Sequence, residues 1–176
     1  LSVVNAINKN NKMWNVIGFV DDNSDLLGKS ISGNKVLGGR DILTSYPSSR
    51  VLAVPGRPEN YLERESIISS LNVSNDRFVS LIHPSAQIAD DTIIGYNTLI
   101  MAGVAITVNV EIGNHCIILP NTVISHDCII EDYSVIGSNV SISGGVRIER
   151  NSYIGTGSKI IQEVIVKERT LIGIGT

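Results

Sequence analysis

"ILPNTVISHDCIIEDYSVI", Ile118 to Ile136, is the stretch whose reading decides the fold. Isoleucine stands at 118, 124, 130 and 136, at intervals of six. A helix repeats about every 3.6 residues and a plain strand alternates by about two, so a strict six is the signature of neither. Outward from this segment the spacing runs without insertion from Ile82 to Ile172, with Val166 the single substitution. Four residues after each isoleucine comes a small or slim side chain, among them Val104, Cys116, Thr122, Cys128 and Ser134. Three residues after, the slot is dominated by Asn, Asp and Gly: Asp91, Asn97, Gly103, Asn109, Asn121, Asp127, Asn139, Gly145, Asn151, Gly157 and Gly175. These residue types tolerate positive φ, which a tight corner requires. Pro120-Asn121 carries a type II turn signature. His115 occupies the same slot and reads as a turn residue.

A period of six is that of a hexapeptide β-helix. Each hexapeptide forms one short flat face, and three faces close a triangular coil of eighteen residues. The isoleucines point into the prism and the slim residues pack beside them at the corners. Successive coils stack at about 4.8 Å, so like residues form columns. Both cysteines fall in the slim slot, and packing alone accounts for them. The fold class expected is mainly β, a parallel β-helix over residues 81–176.

Residues 1–80 have no such period. "NVIGFVDDN", Asn15 to Asn23, reads as a buried strand ending in two aspartates. "RVLAVPG", Arg50 to Gly56, reads as a second strand closing on a Pro-Gly turn. "NYLERESIISSL", Asn60 to Leu71, has helical spacing, with Leu62, Ile67, Ile68 and Leu71 on one side. The opening "LSVVNAINKN" reads as the end of another helix. This alternation predicts a small α/β unit with a parallel sheet. The join lies near "FVSLIHPSA", where His83 precedes a proline and is held extended as a linker residue.

Composition narrows the function. The chain has 176 residues and a formal net charge of −3, with no basic block, so a nucleic-acid partner is not expected. No apolar run reaches the roughly 20 residues of a membrane-spanning helix, and no signal-peptide pattern is visible. The expected location is cytoplasmic. Two cysteines are too few for a disulfide framework or a zinc cage.

The slot two after each isoleucine points outward at a corner, and His126 is the only histidine in it. One coil up stands Gly144, followed by Gly145; one coil down stands Val108. A histidine beneath a double glycine has open space and exposed backbone N–H groups above it. An imidazole exchanges protons near neutral pH, and the adjacent Asp127 can orient it. The pair therefore reads either as a general base with its orienter or as a solvated histidine beside a turn aspartate.

The ordered set "VIGFVDDN", "LIHPSA", "ISHDCII" and "SGGVRI" closely resembles the bacterial sugar acyltransferases of the hexapeptide superfamily, which acetylate sialic acids and nucleotide-linked amino sugars. The resemblance covers nearly the whole chain. It implies a left-handed β-helix, a Rossmann-like N-terminal unit and a homotrimer. It implies His126 as general base with Asp127 as partner, and no metal. Acetyl-CoA, the co-substrate, would lie along the outside of the β-helix by Gly144, Gly145, Thr156 and Ile174, between subunits. The nucleotide-sugar or sialic acid acceptor would contact Asp21, Asp22 and Gly56. Transfer would be direct, within a ternary complex, with a backbone N–H near Gly144 holding the developing oxyanion. The family's opening strand and Gly-rich phosphate loop have no counterpart here, so a truncated N-terminal unit is expected. The chain also stops in mid-repeat at Thr176, before the family's usual last coil and tail. Leu119 stands where an acceptor-side Asn is common in the family, and Val135 where a His often contacts the acyl donor.

Two rival readings have distinct requirements. A metal-dependent hydratase on the same fold needs about three converging histidines. His115 and His126 fall on different faces of the prism, and His83 precedes the first full coil. A non-catalytic binding or scaffold protein would keep the repeat without chemistry at His126.

Overall fold

The computed structural model describes residues 1–10 and 12–176. From Leu81 to Ile172 the chain forms sixteen two-residue strands, one every six residues. They assemble into three parallel sheets of six, five and five strands. Each strand pairs with the strand one coil away: Ile118 with Ile100 and Ile136, Ile124 with Ile106 and Ile142, and Ile130 with Ile112 and Ile148. The first face thus carries Ile100, Ile118 and Ile136, the second Ile106, Ile124 and Ile142, and the third Ile112, Ile130 and Ile148. Backbone hydrogen bonds follow the same step, as in Leu99 N–H to the Cys116 carbonyl at 2.9 Å. Every interior strand is therefore covered on both edges.

The predicted columns close on a dry interior. Ile100, Ile118, Ile124, Ile136, Ile148 and Ile154 have no exposed surface, nor do Val104, Cys116, Thr122, Cys128 and Ser134. Each buried isoleucine contributes on the order of 1.5–3 kcal/mol. Ile82 departs from the pattern and is 38% exposed, because no coil lies beneath it. Burial pushes the Cys116 thiol up to about 12, so it packs as an inert apolar group.

The corners need positive φ as expected. Asn97, Asn109, Asn121, Asp127, Asn139 and Asn151 lie between 53° and 60°. His115 adopts 59°, which bears out its reading as a turn residue. Tyr133, Glu163 and Arg169 take the same conformation at 63°, 62° and 59°, although nothing in their side chains favours it. There the repeat imposes the backbone. Asp91 is the reverse case: it sits in the slot without positive φ, and its carboxylate instead accepts the N–H of Asn109, one coil up, at 3.0 Å.

Residues 1–80 differ more from expectation. Helix α1 spans Ser2–Asn10. The sheet contains β1 (Phe19–Val20), β2 (Ser30–Ile31) and β3 (Asn34–Gly38), in the order β1-β3-β2. It is mixed rather than parallel, because Ser32 and Gly33, with φ of 49° and 83°, reverse the chain between β2 and β3. β1 is short and lies at the edge of the sheet, and Val20 is exposed. "RVLAVPG" makes one bridge, Val51 to Phe78, and no strand. Its backbone is claimed elsewhere: the Asn97 side-chain oxygen accepts the Ala53 N–H at 2.7 Å, and the Asn97 amide donates to the Ala53 carbonyl at 2.9 Å. Pro55 then offers no donor at all.

The predicted helix at 60–71 is a 3-10 turn, Tyr61–Glu63, followed by α2, Arg64–Ser69. Its buried face is Tyr61, Arg64 and Ile68, whereas Leu62 is 40% exposed. Arg64 has no exposed surface. It donates to the carbonyls of Pro55, His115 and Tyr133. Tyr61 donates to the Arg169 carbonyl at 2.8 Å, and Asn151 to the Leu62 carbonyl at 3.2 Å. The N-terminal region is thereby fastened along the corner column Asn97, His115, Tyr133, Asn151 and Arg169. No helix of the described residues is long and apolar enough to cross a membrane.

Candidate active site

His126 and Asp127 occupy the corner between the second and third faces, between Val123–Ile124 and Ile129–Ile130. Interior packing of Ile124 and Cys128 fixes the backbone on either side, so His126 and Asp127 between them are forced outward. His126 Nδ1 lies 2.7 Å from Asp127 Oδ2. Their side chains are 62% and 55% exposed. The other carboxylate oxygen, Oδ1, accepts the side-chain amide of Asn109 at 2.6 Å. That bond first, and the one from His126 second, hold the Asp127 carboxyl below its ordinary range. The carboxylate form is thus favoured, and a carboxylate only accepts. Nδ1 of His126 therefore donates, and in the neutral ring the lone pair is then on Nε2.

Gly144 makes the ring's position possible. A Cβ at Gly144 would fall 2.5 Å from His126 Cε1 and 2.6 Å from Nε2, so the imidazole lies in the space that a side chain there would fill. Gly145 stands in the same column as Asp127, with φ of +69°. The double glycine does not leave two free donors, however. The Gly145 N–H donates to the His126 carbonyl at 2.9 Å, tying the two coils together.

The structure brings His126, Asp127, Gly144 and Gly145 to one corner, and separates them from the other sequence-predicted positions. Thr156 and Ile174, both exposed, lie at the corner between the first and second faces. Asp22 is engaged by Arg40, and Asp21 Oδ1 accepts the Asn23 N–H at 2.8 Å. Gly56 lies against Arg64 and Val135. Among the described residues, no hydrogen bond or ion pair joins either aspartate to Gly56. Asn109 is the residue that sequence reasoning passed over as a turn former. Its spacing of eighteen from Asp127, in the same column, was the available signal.

His115 is not a second reactive histidine. It is 4% exposed, stacked on Tyr133 at 4.6 Å, and bonded through Nδ1 to the Asn97 amide at 2.8 Å. Burial pushes its imidazole down to about 4. Among the described residues, no three His, Cys, Asp or Glu side chains converge as a metal would need. An open groove of about 530 Å³ runs along the third face, past Glu111, Ile129, Glu131, Arg147 and Arg150. It reaches the far edge of that face and does not include His126.

Comparison with known proteins agrees with this architecture. The perosamine N-acetyltransferase of Caulobacter crescentus, in a mutant form with CoA and GDP-perosamine, superposes with a TM-score of 0.84 at 25% identity, covering 98% of this chain and 80% of that one. The acetyltransferase domain of PglB from Neisseria gonorrhoeae, in complex with acetyl coenzyme A, gives 0.78 at 25% identity, covering 98% and 82%. WeeI from Acinetobacter baumannii, at 22% identity, shares the fold with a TM-score of 0.78, covering 99% and 84%. No curated protein matches the chain. Residues 78–174, more than half of the chain, match the family model for the GMPPB C-terminal domain, and the chain belongs to that family.

Proposed function

We propose that the protein is an acetyl-CoA-dependent acetyltransferase acting on an amino group of a nucleotide-linked sugar, with His126 as general base. The observation that carries the proposal is the exposed His126 whose Nδ1 is held by Asp127 at 2.7 Å, leaving Nε2 free beside a glycine. Similarity to a perosamine N-acetyltransferase bound to CoA and GDP-perosamine supports the substrate class and favours nitrogen over oxygen.

In this reading His126 Nε2 takes a proton from the sugar amine as its nitrogen attacks the thioester carbonyl. The C–N bond forms and the C–S bond breaks. The imidazolium, stabilised by Asp127, returns its proton to the departing thiolate. The acyl group passes directly to the acceptor, with no covalent enzyme intermediate. The second face lies between the His126 corner and the corner of Thr156 and Ile174. Its outward residues include Ala105, Val123 and Ser141, short side chains on a flat surface. A left-handed β-helix packed as a homotrimer would set one subunit's His126 corner close to a neighbour, with acetyl-CoA between them. Asp21, Asp22 and Gly56 are the proposed acceptor contacts, on a Rossmann-like unit.

The test is CoA thiol release with acetyl-CoA and a panel of nucleotide-linked amino sugars, beginning with GDP-perosamine. Release that depends on both substrates and is lost in His126→Ala is the expected result. Absence of release across the panel, from protein that binds acetyl-CoA, would leave a binding protein on the same fold.

A further inference from the structure

We infer that Asn109 is a positioning residue for this site: its amide fixes the Asp127 carboxylate and, through it, the tautomer of His126. The inference rests on His126 acting as the base.

Asn109 lies one coil below Asp127 in the same corner column, and both have positive φ, 55° and 60°. Its backbone is anchored from the coil beneath, where Asp91 Oδ2 accepts its N–H at 3.0 Å. Its side-chain Nδ2 then donates to Asp127 Oδ1 at 2.6 Å. Asp127 Oδ2 is left facing His126 Nδ1 at 2.7 Å. The chain Asp91–Asn109–Asp127–His126 thus gives each Asp127 oxygen one partner. Without the amide, an exposed carboxylate rotates freely about its terminal bond and shares its two oxygens with water. With it, one oxygen is taken and the other is aimed at the ring. A free imidazole in water does not favour the Nδ1–H tautomer, so the Nε2 lone pair that the reaction needs depends on that aim.

A purely structural role would be the turn itself. Glycine separates the two roles, since Asn109→Gly keeps the left-handed corner and removes only the amide. The experiment records ring ¹⁵N shifts of His126 at alkaline pH in the full chain, assigned with His126→Gln, together with kcat and KM for acetyl-CoA using GDP-perosamine. Wild type should show mainly Nδ1–H. Asn109→Gly should move the ring toward Nε2–H and lower kcat roughly tenfold, the scale of outer hydrogen-bond partners. KM for acetyl-CoA should hold. In an Asp127→Gly background, adding Asn109→Gly should change neither the tautomer nor kcat further. Wild-type tautomer and kcat in Asn109→Gly would overturn the inference, as would an unchanged tautomer in Asp127→Gly. If the tautomer shifts as expected but no variant, wild type included, releases CoA, the positioning stands and the acetyl-transfer reading falls.

Discussion

Arg64 donates to the carbonyl of His115, so a fully buried cation on α2 holds down a corner of the β-helix. Its other bonds run to the carbonyls of Tyr133, at 2.9 Å, and Pro55. Burial lowers its pKa to about 10, which leaves it charged at neutral pH. Replacing it with Ala strands three carbonyls and opens a cavity. The expected loss is about 3–5 kcal/mol of stability, read from urea denaturation. Arg64→Lys should fall between, since an ammonium lacks the planar fork. A loss below about 1 kcal/mol in Arg64→Ala would mean that the carbonyls find other partners.

The contrast between Ile118 and Arg64 shows what the sequence discloses. Ile118 belongs to a column whose inner members, Ile100, Ile118, Ile136 and Ile154, share one fully buried environment, so the repeats report one fact several times. Arg64 is solved once, by the carbonyls of nearby Pro55 and of distant His115 and Tyr133, and an arginine in a short helix reads as surface. The strand expected at 50–56 fails for a similar reason: Asn97 takes both polar groups of Ala53 from forty-four residues away. The Ser32-Gly33 dipeptide is of a turn-forming type, but β2 on one side of it has only two residues and shows no alternation that would mark a hairpin. At the candidate site, the outward slot and the glycine above were visible as columns. The amide of Asn109 was hidden by its own suitability for the turn.

His115 should make stability depend on pH. Its imidazole is pushed down to about 4, by burial first; Asp132 opposes this, while Arg64 and Arg150 add to it. An unfolded histidine titrates near 6.5, so between about 6.5 and 4 the unfolded chain binds the extra proton. The stabilisation is complete above that window and is lost as pH falls through it, by up to about 3 kcal/mol. His115→Asn keeps the turn and removes the titration. Urea midpoints at pH 7 and pH 4 should therefore differ less in the variant. Equal differences in the two proteins would assign the pH dependence to other groups.

His126→Ala should separate chemistry from folding. The side chain is 62% exposed, so its removal should change stability by less than about 0.5 kcal/mol. Turnover should fall by about 10²–10⁴-fold, the scale of a general base. Acetyl-CoA affinity, measured by calorimetry, should hold, because the base meets the reacting atoms rather than the bulk of the co-substrate. Unchanged turnover with an accepted sugar would return the His-Asp pair to the status of a turn.

Gly144 and Gly145 should fail in opposite ways when replaced by Ala. At Gly144 the new methyl would meet His126 Cε1 at 2.5 Å and Nε2 at 2.6 Å. The ring ends a flexible side chain, so it can swing aside, and the fold should survive with little loss. The displaced imidazole would leave Asp127 and the reacting geometry, and a shift of about 1 Å costs on the order of 10²-fold in rate. At Gly145 a methyl finds its nearest neighbour, Glu163 Cγ, at an ordinary 3.5 Å, but φ is +69°. The cost there is conformational, about 1–2 kcal/mol of stability, while the His126 ring keeps its place. Asn at 145 should recover part of that loss, because Asn tolerates the left-handed region. Melting temperature and kcat measured on Gly144→Ala, Gly145→Ala and Gly145→Asn should therefore cross: activity falls most in the first, stability most in the second. If Gly144→Ala loses stability and keeps its rate, the ring is not held where the reaction needs it.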